Sequence, residues 1–244
     1  MLLANLTFEV DILLTPVFMK KNNNNALIVF ARDPILGQVK TRLSPFLDLQ
    51  AICGLYTCFL SDSLEKLCAV KSADHFVGIY PSNLSGYFER LDPSICVRIF
   101  IQKGLDLGER MFNAFSERFR EGYERVIIIG SDSPSLPLDY IKQAFSSEQD
   151  VVLGPSVDGG YYLIGMNGAP VNLFNDISWG ENTVLEQTRL KIKEIDVSLK
   201  LLPVWYDVDR LDDLRFLKTH LEILAKAGQT EGTSTRKFLS NLSL

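Results

Sequence analysis

The sequence predicts an α/β fold, a largely parallel sheet with helices on both faces, and three observations carry that prediction. Short apolar runs alternate along the chain with amphipathic segments of helical period, as repeated strand–helix–strand units require. The clearest run, Val126-Ile-Ile-Ile129, shows no polar alternation, the mark of a strand buried on both faces. The polar motifs follow the strands, and ligands of open α/β sheets bind beyond the carboxyl ends of strands.

Ala26–Ala31, bounded by an asparagine tract and by Asp33-Pro34, reads as the first buried strand. Asp48–Val70 carries Leu49, Ile52, Tyr56, Phe59, Ser63 and Leu67 at spacings of three and four, an amphipathic helix. Phe76–Tyr80 and Ile95–Ile101 are strands, with a short helical piece near Tyr87–Leu91 between them. Leu107–Phe119 is a helix with Met111, Phe112, Phe115 and Phe119 on one side, followed by the strand Arg125–Ile129. A helix Leu138–Phe145 begins after Pro137, and strands at Val151–Leu153 and Tyr161–Met166 follow. A helix from about Asn182 to Lys193, a strand Leu199–Trp205 and a helix Asp212–Ala227 complete the order, and the polar last dozen residues are expected to fray.

The 244 residues contain 46% hydrophobic and 23% charged residues, ordinary values for one globular domain. The net charge of −5 lacks the basic footprint of a general nucleic-acid binder. Any polyanionic ligand must be met by a few local cations or a metal ion. The four cysteines form no Cys-x-x-Cys pair, and only two histidines could join them, so a zinc cluster is not expected and free thiols in a cytoplasmic protein are. Residues 1–25 read as an extension and linker, 26–230 as one catalytic domain and 231–244 as a polar tail. The apolar stretch Met1–Phe18 is interrupted by Glu9 and Asp11, is too short to span a bilayer and lacks a basic start, so neither a membrane association nor a signal peptide is expected.

Four clusters fall at strand ends. After the first strand come Arg32, Lys40 and Arg42, on a loop hinged by Pro34 and Gly37, either a phosphate site or a solvated basic loop. Gly130-Ser-Asp-Ser-Pro134 places Asp132 at the tip of the central strand, free to hold a hard cation if Ser133 or Ser135 caps the next helix, or else bonded within a turn. Gly154-Pro-Ser-Val-Asp-Gly-Gly-Tyr-Tyr162 sets Asp158 beside Gly159 and Gly160, where a hairpin turn or a close backbone approach to a ligand explains the glycines. Tyr206-Asp-Val-Asp209 supplies Asp207 and Asp209, either able to complete a cation site with Asp132, while Asp212 suits a helix start.

Taken in order, FAR-x-P-x-x-G-x-x-KTRL, LGERM, GSDSP, GP-x-x-DGGYYLIG, SW and D-V-D-x-x-x-DL resemble a family of glycosyltransferase-A-like, or nucleotide-diphospho-sugar transferase, proteins, some described as arsenosugar-biosynthesis glycosyltransferases. The resemblance runs from about Ala26 to Leu217. It implies a GT-A fold, a Rossmann-like three-layer α/β/α sandwich with a mixed, mainly parallel sheet. By that resemblance Arg32, Lys40 and Arg42 hold phosphates, the Gly104-Leu105-Asp106-Leu107 segment meets the base through Gly104 and Leu107, and Asp132 with Asp207 or Asp209 binds the metal. The loop after the first strand has less glycine than in nucleotidyltransferases, and Ser131-Asp132-Ser133 has one acid where many glycosyltransferases have two.

The expected activity is transfer of a sugar from a nucleotide diphosphate to a small-molecule acceptor, assisted by Mg²⁺ or Mn²⁺ at Asp132 and Asp207. Asp158 is expected to orient or deprotonate the acceptor hydroxyl, with Gly159, Gly160, Tyr161, Tyr162 and Trp179 around the acceptor or donor. The rivals are a nucleotidyltransferase that releases pyrophosphate and a regulator that binds nucleotide without turnover. The sequence leaves a homodimer open.

Overall fold

In the computed structural model, which describes residues 21–242, the apolar run after the asparagines is β1 (Asn25–Arg32), buried from Ala26 to Ala31. Burial on both faces follows from its central place. β2 (Asp74–Tyr80) lies parallel on one side and β4 (Arg125–Gly130) parallel on the other. α1 (Leu49–Ala69) starts where the side chain of Asp48 accepts the Ala51 amide at 2.8 Å. β3 (Arg98–Ile101) forms one edge, parallel to β2, and α2 (Leu107–Arg120) is capped by Asp106 through the Glu109 amide. α3 (Leu138–Phe145), the hairpin β5 (Val151–Pro155) and β6 (Tyr161–Asn167), α4 (Val184–Ile195), β7 (Leu199–Leu201), α5 (Leu211–Lys226) and α6 (Thr233–Leu239) follow.

The sheet order is β3-β2-β1-β4-β6-β5-β7. Only β6 runs antiparallel, between β4 and β5, because a short hairpin returns it beside its predecessor. Two cores fill the sandwich. One, with Leu27 and Val29 of β1, lies beneath α1, α3, α5 and α6; the other, with Ile28 and Phe30, lies beneath α2 and α4. The architecture is the three-layer α/β/α sandwich expected. All four cysteines are free, and among the described residues no helix is long and apolar enough to cross a membrane.

Three expectations are corrected. The last strand ends at Leu201 rather than Trp205: the Leu202 amide still donates to the Leu153 carbonyl at 2.9 Å, but Pro155, next along β5, has no N–H to return a bond, and pairing resumes only as a bridge between Ser156 and Trp205. The polar tail is not frayed over its first half. α6 packs Leu239 into the core, and its first turn is held by buried Asp62 of α1, which accepts the Ser234 amide at 2.8 Å, the Thr235 amide at 3.0 Å and the Thr235 hydroxyl at 2.5 Å. The end of the asparagine linker is likewise bonded. The Asn22 amide and the Asn23 side chain both donate to Asp74 at 2.9 Å, and Asn25 already belongs to β1. The expectations for residues 1–20 lie outside the described residues.

Candidate functional site

The carboxyl ends of six strands and the amino end of β6 share one edge, so the polar motifs meet there. Tyr56 of α1 ties the two central strand ends together: its hydroxyl accepts the Arg32 amide at 2.8 Å and lies 3.0 Å from Ser131 Oγ. Burial and the charge of Asp132 hold this phenol in its protonated form. Asp33, also buried, accepts the Leu84 amide at 2.6 Å and the Ser85 amide at 2.9 Å, joining the loops after β1 and β2.

Lys40 is the hub of the charged cluster. Its backbone is left-handed (φ 45°, ψ 40°), a costly conformation for a side-chain-bearing residue that clusters at functional sites. Its buried Nζ lies 2.7 Å from Asp132 Oδ1 and 3.0 Å from Asp209 Oδ1, and donates to the Val208 carbonyl at 2.7 Å. Burial opposes the lysine charge, but the two carboxylates outweigh it and raise the pKa above the ordinary lysine value. Arg42 pairs with Asp209 at 2.8 Å. Although burial opposes it, the two cations hold Asp209 below the usual carboxylate range.

Asp207 has a different environment. Ser133 Oγ donates to its carboxylate and to the Tyr206 carbonyl, and the Val208 amide donates to the Asp132 carbonyl at 3.0 Å. The segment carrying Asp207 is thus stitched to the loop carrying Asp132. Burial raises the Asp207 pKa to about 6, and the Asp132 and Asp158 carboxylates push the same way against the Ser133 hydrogen bond. That coupling places Asp158 within electrostatic reach of the pair. Asp158 Oδ1 accepts the Gly160 amide at 3.0 Å in the β5–β6 turn. Gly159 is required there twice over: its φ is +90°, and a Cβ would lie 2.1 Å from the Asn182 carbonyl oxygen.

Other expected residues divide between site and scaffold. Tyr161 and Trp179 meet edge to face at 6.4 Å and pack against the core beneath α2 and α4, where Tyr161 Oη and Trp179 Nε1 are buried without a partner among the described residues. Tyr162 turns to the other face and donates to the Pro203 carbonyl. Leu107 packs against the second core, whereas Leu105 is 91% exposed, and Gly104 makes the bend before them at φ +143°.

The basic trio is not one cluster. Lys40 and Arg42 are committed to acids, whereas Arg32 projects from the strand end without such a pairing among the described residues. Neither Ser133 nor Ser135 caps α3, whose N-cap is Pro137; Ser133 serves Asp207, and Ser135 donates to the Tyr206 hydroxyl at 2.7 Å. The amides at the start of α5 are accepted by Asp213, at 3.0 Å from Asp209 N and 2.8 Å from Arg210 N, while Asp212 pairs with Arg215. Sequence reasoning missed Tyr56, Ser133 as a partner of Asp207, and Lys66. Burial lowers the pKa of Lys66 to about 8, and it donates to the Pro134 carbonyl at 2.8 Å, bracing the Asp132 loop from below. Only the placement of Lys66 on the apolar face of a helix pointed to it.

Among the described residues no three histidine, cysteine or acidic side chains form a metal cage by themselves. Asp132 and Asp207 are a two-carboxylate set, which suits Mg²⁺ or Mn²⁺ that take the remaining oxygens from phosphates and water. Asp207 is stitched to the Asp132 loop through Ser133 and the Val208 amide, and among the described residues it forms no ion pair that would compete for its oxygens. The residues therefore fit such an ion.

A family model described as an uncharacterized protein conserved in bacteria (DUF2064) matches residues 64–181. A crystal structure from Desulfovibrio desulfuricans G20, of a protein provisionally assigned as a nucleotide-diphospho-sugar transferase, is 33% identical, with TM-score 0.80 over 89% of this chain and 94% of that one. More distant similarities share the fold. A 4-diphosphocytidyl-2C-methyl-D-erythritol synthase from Anaerococcus prevotii DSM 20548 has TM-score 0.53 at 10% identity, over 82% of this chain and 96% of that one. A nucleotidyl transferase from Methanothermobacter thermautotrophicus has TM-score 0.53 at 12% identity, over 82% and 98%. No curated protein matches the chain.

Proposed function

The chain belongs to the nucleotide-diphospho-sugar transferase-like family of the Desulfovibrio protein, and on that premise we propose that it transfers a sugar from a nucleotide-diphosphate donor to the hydroxyl of a small acceptor. The observation that carries this reading is the junction of Asp132 and Asp207, 75 positions apart in sequence, through Ser133 and the Val208 amide at the carboxyl edge of the sheet. Asp132 and Asp207 are the residues that would hold Mg²⁺ or Mn²⁺, which supplies Lewis-acid stabilisation of a departing diphosphate.

The chain's own residues do the rest. Lys40 fixes Asp132 and Asp209 in place, with Oδ1 of each within 3.0 Å of its Nζ. Asp209, with one oxygen held by Lys40 and the other by Arg42, serves as their anchor, whereas Asp132 gives only Oδ1 to Lys40; this favours Asp207 over Asp209 as the second carboxylate for the cation. Asp158, on the turn that Gly159 makes possible, receives the acceptor proton as the acceptor oxygen bonds to the anomeric carbon. The bond from that carbon to the diphosphate breaks, and its electron pair leaves with the nucleoside diphosphate. Base catalysis of this kind contributes roughly 10²–10⁴ in rate.

Product analysis tests the reading. Incubation of nucleotide sugars and candidate acceptors with the protein and Mn²⁺ is expected to release a nucleoside diphosphate and a glycosylated acceptor. Release of inorganic pyrophosphate from a nucleoside triphosphate would assign nucleotidyl transfer instead.

A further inference from the structure

On the opposite face of the same edge lies a second charged group. β1 and β2 end in register, with Arg32 beside Tyr80. Alternate residues of a strand face opposite sides of the sheet. Ile28 and Phe30 of β1 and Phe76 of β2 lie in the core beneath α2, so Arg32 and Tyr80 project on the α2 side. From α2, Arg110 of the LGERM motif lays its guanidinium over the Tyr80 ring, 3.9 Å from the centroid.

Neither guanidinium is neutralised by contact. Among the described residues neither Arg32 nor Arg110 forms an ion pair, and Arg110 Nε is buried without a hydrogen-bond partner. Burial weakens the hold of Arg110 on its proton; Tyr80 and Asp106 act against this, and the charge of Arg32 acts with it. Stacking on tyrosine contributes about 0.5–2 kcal/mol and explains one arginine on this ring. It does not explain a second at the same strand end.

We propose that Arg32 and Arg110 form a clamp for the oxygens of a diphosphate, with the Tyr80 ring holding Arg110 in place. Two planar forks at one strand end match the spread of oxygens on two linked phosphoryl groups better than a single phosphate. The clamp takes the part that Lys40 and Arg42 cannot take while bound to Asp132 and Asp209. Its identity as the donor's diphosphate subsite rests on the transferase reading; the gripping of pyrophosphate does not.

Calorimetric titration of the full chain with inorganic pyrophosphate, in chelating buffer without divalent metal, isolates the clamp from the carboxylate site. Wild type is expected to bind, and Arg32→Gln and Arg110→Gln each to weaken binding by about tenfold or more, the loss that goes with one charge-assisted contact. Arg32 is exposed, so its variant folds; Arg110→Lys keeps a charge near Tyr80 and is expected to recover part of the affinity lost in Arg110→Gln. Asp132→Asn is expected to keep pyrophosphate binding while losing metal-dependent donor binding, which separates failure of the clamp from failure of the transferase reading. Absence of saturable pyrophosphate binding, affinities for both arginine variants within about twofold of wild type, or equally tight binding of inorganic phosphate would each overturn the clamp.

Discussion

Two faces of one sheet edge treat positive charge in opposite ways. On the α1 side, Lys40 and Arg42 are saturated by Asp132 and Asp209, and Asp207, without an ion pair among the described residues, leaves the surplus of charge negative. On the α2 side, Arg32 and Arg110 stand together without an ion pair among the described residues, and the surplus is positive. A nucleotide diphosphate bridged to a divalent cation carries both signs and complements such an edge. The lesson is that cations close in sequence need not act together: Arg32 and Lys40 leave the same strand, but alternation along β1 and the turn at Lys40 send them to different faces.

The sharpest break of the comparison is Asp132→Asn, expected to lower turnover with nucleotide sugar and Mn²⁺ by about 10²–10³, read as initial rates. A rate within a few-fold of wild type would leave the acidic side without a catalytic part. Lys40→Met removes the hub and leaves two carboxylates facing each other. Loss of one partner from a buried pair costs about 3–5 kcal/mol, and since Asp132 and Asp209 keep 44% and 37% side-chain exposure, a destabilisation of about 2–3 kcal/mol is expected in urea unfolding.

Asp207→Asn should act with the opposite sign on stability. Below about pH 4 the Asp207 carboxyl is protonated in both folded and unfolded chains, and it adds no repulsion. As pH rises from there through about 6, the unfolded chain gives up the proton first, so stability falls. The asparagine variant, which still accepts from Ser133, is therefore expected to be more stable than wild type at pH 8 by about 2 kcal/mol, with the gain gone near pH 4 and metal-dependent activity lost. Equal stability of the two proteins at pH 8 would remove the electrostatic distinction between the faces. The smallest effect is expected for Arg42→Gln, since Arg42 is 59% exposed at its side chain: no more than about 1 kcal/mol, shrinking further in high salt.

Most strands were legible because their apolar runs are buried on both faces, and the helices because their apolar periodicity matches one buried stripe, as in α1 and α2. α6 was not legible. Its anchor is Asp62, more than 170 positions away, and no local pattern in Thr233–Leu239 announces that contact. The acids of the site were legible as residue types at strand ends, but their partners were not. Whether Asp207 or Asp209 faces the cation depends on which one Lys40 and Arg42 neutralise, a matter of folding across 168 residues or so. Arg110 was hidden for a related reason: within LGERM it looks like an ordinary solvated helix charge until Tyr80 is placed beneath it.

The most direct measurement is the melting temperature of wild type and Asp132→Asn across a panel of nucleotide sugars, each with and without Mn²⁺. The account predicts that at least one nucleotide sugar raises the wild-type melting temperature only when metal is present, and that Asp132→Asn loses that rise. A panel without metal-dependent stabilisation of wild type, or an Asp132→Asn protein that responds as wild type does, would contradict it.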